Sequence, residues 1–116
     1  MNLNDYANEV HKANAKWWVD INTGERLERN KGEQIALIHS ELSEALEGVR
    51  KGLMDDKLPH RTMEEVEMAD TVIRIFDYCA GHGLDLDGAY QDKMAYNAVR
   101  EDHKIENRLA DGGKKF

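Results

Sequence analysis

At 116 residues the chain has room for one domain with a real core and little else. Sixteen Lys and Arg against 23 Asp and Glu leave a net charge of −7, which argues against a nucleic-acid polymer as partner; the basic clusters are only Arg50-Lys51 and Lys114-Lys115. A single cysteine, Cys79, excludes an intrachain disulfide, and no apolar run approaches the roughly 18 residues that a membrane span needs.

The opening residues, Met1 to Asp5, have neither a basic nor an apolar leader character, so a cytoplasmic chain is expected. Leu3, Tyr6, Val10, Ala13, Trp17 and Ile21 then recur at helical spacing and predict a first helix over about Asn4 to Val19. This spacing makes Trp17 a core residue. It turns Trp18 toward the polar side of His11 and Asn14, where it either stacks on a nucleobase or packs at a subunit interface. Asn22, Thr23 and Gly24 break the helix, and a polar loop runs to Asn30, with Arg29 and Asn30 read as solvated positions within reach of a substrate.

A second helix is predicted over about Lys31 to Lys51, with Ile35, Ile38, Leu42, Ala45, Leu46 and Val49 as its apolar stripe and Gly52 to end it. Glu41 borders that stripe and Glu44 lies one step further round. His39, next to Glu41, reads as a polar flank with a base contact as its functional alternative. After a loop containing Asp55, Asp56 and Pro59, Thr62 and Glu65 form a capping box for a third helix reaching Ala80. Its apolar set is wide: Val66, Ala69, Val72, Ile73, Phe76 and Ala80 are extended sideways by Met68, Ile75 and Cys79. Such a helix needs partners on two sides, its own bundle and a second subunit. Glu67 and Asp70 share the remaining stripe with Arg74 and Asp77.

Asp85 or Asp87 starts a fourth helix, predicted to run to about Asp102, that places Lys93, Asn97 and Arg100 on one face. Residues 104–116 show no apolar period and read as a tail whose Lys114 and Lys115 could fold over a bound triphosphate. The expected architecture is all-α, a four-helix bundle-like single domain over 1–116, assembled as a homodimer or homotetramer.

Two acidic pairs stand out, Glu41/Glu44 and Glu67/Asp70. Residues three apart on a helix sit about 5–6 Å from each other, so each pair can offer two oxygen ligands to one cation. All-carboxylate ligation suits a hard ion, Mg²⁺ or Mn²⁺, whose usual business in proteins is phosphate. Other acid pairs at this spacing, Glu25/Glu28 and Glu64/Glu67 among them, show that one pair alone defines nothing. A carboxylate-bridged di-iron bundle needs Glu-x-x-His pairs, and no histidine here has an acid three residues before it.

The succession ExxE, spacer, ExxD and then Lys93-x-x-x-Asn97 resembles the MazG-like all-α nucleoside triphosphate pyrophosphohydrolases, over about residues 30 to 103. Arg100 stands where many members keep an arginine, whereas Ser40 stands where many carry a further glutamate. The resemblance implies Mg²⁺-dependent hydrolysis of a nucleoside or deoxynucleoside triphosphate to the monophosphate and pyrophosphate, as nucleotide-pool housekeeping. It implies metal ligation by Glu41, Glu44, Glu67 and Asp70, with a glutamate such as Glu41 or Glu44 taking the proton from water. Phosphate and sugar contacts fall to Lys93, Asn97 and Arg100. Two alternatives stand beside it: a phosphoribosyl-ATP pyrophosphatase-like enzyme, and a non-catalytic helical module that binds a partner through the wide stripe.

Overall fold

Side-chain caps fix where the helices begin. In the computed structural model, which describes residues 1–100 and 105–113, α1 spans Leu3–Ala13 and is opened by a reciprocal box: Asn2 accepts from the Asp5 N–H, and the Asp5 carboxylate accepts from that of Asn2, both at 2.9 Å. α2 spans Lys31–Lys51, capped by the Asn30 side chain and closed by Gly52 at φ 62°, a left-handed position that glycine enters without a steric penalty. α3 spans Met63–Gly81 behind the Thr62/Glu65 capping box. α4 spans Leu86–Val99, with Asp85 accepting from the Gly88 N–H, and α5 is a single turn, Ile105–Arg108.

Among the described residues there is no strand, only two isolated bridges, Val19 with Arg26 and Met54 with Thr62, so the protein is all-α. No described helix is long and apolar enough to cross a membrane. The chain divides into two compact units, Met1–Leu84 and Asp85–Phe116. In the first, α1 and α2 both pack on α3. Gly48 lies against Met63 at one end of α2 and Gln34 meets His82 at the other, so α2 and α3 run antiparallel. A Cβ on Gly48 would come within 2.8 Å of Met63 Cβ, which is why the two backbones can approach there.

Two helix ends and one extra helix differ from the sequence expectation. α1 stops at Ala13 instead of Val19, and Ala15–Trp18 forms a 3₁₀ turn after the Asn14 cap. The break changes the phase of the chain, so the two tryptophans exchange roles: Trp18 is 2 % exposed and Trp17 is 61 % exposed. The assignment of Trp17 to the core and of Trp18 to base stacking is therefore corrected. Trp18 is sealed in by the edges of His11 and His82 and by Gly81, where a Cβ would run into its ring. α4 ends at Val99, with Arg100 in extended conformation instead of inside the helix. The expected continuation to Asp102 lies outside the described residues, as do Lys114 and Lys115. α5 arises where no apolar period announced it.

Candidate functional site

α2 and α3 bring three carboxylates to one place. Glu41, from the middle of α2, meets Glu67 and Asp70, adjacent on one side of α3, and one oxygen from each lies within 4.8 Å of the others. Glu44, one turn along α2, is exposed and outside this triad, yet near enough for its charge to act on Glu67. Arg74, one turn beyond Asp70, donates from Nε to Glu41 Oε1 at 2.9 Å.

Crowding of like charge governs how these groups hold protons. The Glu67 carboxyl is pushed up to about 7, first by its hydrogen bond with Glu41, then by burial and by repulsion from Glu41, Asp70 and Glu44. Glu41 moves the other way, because Glu67 donates to it and the Arg74 guanidinium faces it, against the effect of burial. The two carboxyls are thus coupled, and their shifts run in opposite directions. Asp70 is raised by burial and by the charges of Glu41 and Asp55, with Arg74 partly opposing. Asp55 was read only as a loop residue. In the fold it is buried, its Oδ2 accepting from the Lys57 and Leu58 N–H groups at 3.0 and 2.7 Å, and its charge reaches Asp70.

Alongside the triad opens a cavity of about 480 Å³. Glu41, Asp70 and Arg74 line one end, and Gln34, Asp77 and Asn14 line the other. Leu37 and Ile73 supply the wall between, Tyr78 packs on His82 at the Gln34 end, and Trp17 and Arg29 come from the segment preceding α2. Arg29 donates to the Trp17 carbonyl at 3.0 Å, which ties that segment together. Thus Trp17, not Trp18, is the tryptophan that lines the cavity, and Arg29 is a cavity residue. His39 is exposed on α2 and does not line the cavity.

Lys93 and Asn97 lie on α4, and Arg100 follows it, all within the second unit. There Lys93 and Arg100 both stack over Tyr96, at 4.9 and 5.7 Å from its ring centre. The Asn97 Oδ1 atom is buried with no hydrogen-bond partner among the described residues, an expensive arrangement for a carboxamide.

The side chains fit a hard divalent cation: all three groups offer carboxylate oxygens, they converge, and a positive charge among them would relieve their mutual repulsion. What fold and site define together is an all-helical protein carrying an acidic triad beside a cleft. No protein-family model, curated protein or solved structure matches the chain.

Proposed function

We propose that this chain is a MazG-like nucleoside triphosphate pyrophosphohydrolase, a bundle-like oligomer that hydrolyses a nucleoside or deoxynucleoside triphosphate to monophosphate and pyrophosphate with Mg²⁺ or Mn²⁺. The observation that carries the reading is the convergence of Glu41, Glu67 and Asp70 within 4.8 Å at one end of a cavity large enough for a nucleoside.

Glu41, Glu67 and Asp70 would hold the ion, with Glu44 as the outlying fourth acid of the same motif. When bound, the ion supplies charge neutralisation at the phosphates and a more acidic water. Either Glu41 or Glu44 would take the proton from that water, Glu44 being the exposed one of the two. Arg74 and Arg29 bring cationic charge to the cavity wall, where it favours a polyanion over a neutral ligand. Lys93, Asn97 and Arg100 are assigned to phosphate and sugar by the motif resemblance, and the unpartnered Asn97 oxygen is consistent with a group awaiting a ligand.

The test is pyrophosphate release from a panel of ribo- and deoxynucleoside triphosphates, with and without Mg²⁺. Release only with the metal, falling at least about a hundredfold in Asp70→Asn and Glu41→Gln, is the expected result. If wild type releases no pyrophosphate from any nucleotide with Mg²⁺ or Mn²⁺, the enzyme reading is wrong and the helical interaction module takes its place.

A further inference from the structure

We infer that Arg74 is an exchangeable counter-ion of the site: it pairs with Glu41 in the ion-free protein and passes to a phosphate oxygen of the ligand when Glu41 turns to a divalent cation. The inference rests on reading the triad as a metal and phosphate site, and adds what the cation beside it does there.

Placement is the first argument. Glu67, Asp70 and Arg74 follow one another at intervals of three and four along α3 and so share one face of that helix. From there Arg74 reaches across to α2, where its Nε donates to Glu41 Oε1 at 2.9 Å. Its charge acts on two of the three acids. Glu41 is drawn toward its ionised form first by Glu67 and then by Arg74, and at Asp70 Arg74 opposes burial and the Glu41 charge, which push the other way. Among the described residues no other cation forms an ion pair with the triad.

Freedom to part is the second. The Glu41 side chain is 15 % exposed and that of Arg74 is 42 % exposed, so the acid is held in the site while the guanidinium stands half in solvent. An ion pair that open to water contributes little to the fold and is readily given up. Only Nε is engaged, and both terminal nitrogens lack a partner among the described residues. Arg74 lines the cavity beside Glu41 and Asp70, where a phosphate on the triad would meet that unused fork.

Charge balance is the third. A divalent cation seated on Glu41 and a guanidinium still bonded to the same carboxylate are like charges in a partly buried site, and their repulsion opposes metal binding. A phosphate beside the ion removes the conflict, because its oxygens accept from the fork in bidentate fashion. Arg74 therefore works against the bare ion and in favour of the ion with its phosphate. A residue that only ties α2 to α3 would not act in these two opposite senses.

The experiment measures, by calorimetry without nucleotide, the binding of Mn²⁺ alone and of the preformed Mn²⁺–tripolyphosphate complex to wild type, Arg74→Gln and Arg74→Lys. Gln keeps an amide donor and loses the charge; Lys keeps the charge and loses the fork. Arg74→Gln should bind Mn²⁺ about three- to tenfold more tightly than wild type and the complex at least about tenfold more weakly. Arg74→Lys should match wild type for the ion and fall between the two for the complex. Mn²⁺ binding that is unchanged or weaker in Arg74→Gln, with helical circular dichroism retained, makes Arg74 a fixed holder of Glu41 and overturns the inference. Equal binding of the complex by that variant overturns it too. Either result leaves the hydrolase reading standing where wild type releases pyrophosphate. Should Arg74→Gln not fold, Arg74→Lys decides: weaker binding of the ion alone, or undiminished binding of the complex, overturns the exchange. The expected pattern in a protein that cleaves no nucleotide upholds the exchange and removes the hydrolase reading. A wild type that binds neither Mn²⁺ nor the complex overturns both.

Discussion

Glu67 is where the chain's chemistry is most exposed to a simple measurement. Its carboxyl is held up to about 7 from an ordinary value of 4.5, because Glu41 bonds to it and the charges of Glu41, Asp70 and Glu44 oppose its ionisation. Between those two pH values the folded protein binds more protons at this group than the unfolded chain does. Stability contributed here is therefore present below about pH 4.5 and is lost as pH rises through about 7. Other carboxylates follow the opposite course: Glu65, held down by the Thr62 cap, favours the fold at higher pH. The comparison that isolates Glu67 is thus wild type against Glu67→Gln, whose amide keeps a donor toward Glu41 and carries no charge. In chelator, thermal melting of wild type should decline relative to Glu67→Gln between pH 5 and pH 8, with Mg²⁺ reducing the difference at the alkaline end in wild type only. Parallel melting curves for the two proteins across that range would show that the Glu67 carboxyl is not held up by its neighbours.

At the scale of elements, the fold depends on α3, since α1 and α2 both pack on it. Its start is held by Thr62, whose Oγ1 accepts from the Glu65 N–H at 3.1 Å while the Glu65 carboxylate accepts from the Thr62 N–H at 3.1 Å and from its hydroxyl at 2.9 Å. Thr62→Ala should cost about 1 kcal/mol, read as a lower urea midpoint with an unchanged slope. This cap was legible in the sequence, as were Gly52 and the limits of α2, because each is a local pattern within one turn of helix; the start of α4 was narrowed to Asp85 or Asp87, and it is Asp85. The acid pairs were legible for the same reason: a spacing of three fixes a face. What escaped was one local stop and several non-local contacts. Asn14 ends α1 early, and a period extended across that stop turned Trp17 inward and Trp18 outward. Asn14 itself was the available signal, since asparagine favours caps over helix interiors. Asp55 joins the acids only because the Gly52–Thr62 loop folds back, its N–H reaching the Arg61 carbonyl at 2.9 Å. Asp77 was placed on the right stripe of α3, but its partners His11 and Trp18 are 66 and 59 residues away in the chain.

The whole molecule carries more exposed apolar side chain than a chain of this charge needs. Ile35, Leu42, Leu46 and Val49 follow one another along α2 at intervals that keep them on one stripe, and all are exposed, Leu46 at 61 %. On α3, Met68 and Val72 stand one turn apart and are likewise exposed. Continuous apolar stripes on two neighbouring helices are what a surface for association would present, and the proposal of a second copy of the chain, expected from the wide α3 pattern, makes them its contact. At −7 each, two copies repel at long range, so the contact must draw its strength from buried apolar area and should tighten as salt screens the charge. Sedimentation of wild type should give a dimer or tetramer of the 13.3 kDa chain, more strongly associated at high salt than at low. Leu46→Glu places a charge in the middle of the α2 stripe, where pairing would strip its water, and should shift the distribution to monomer while helical circular dichroism is retained. A wild type that sediments as a monomer at every salt concentration would leave these stripes without a second copy to cover them.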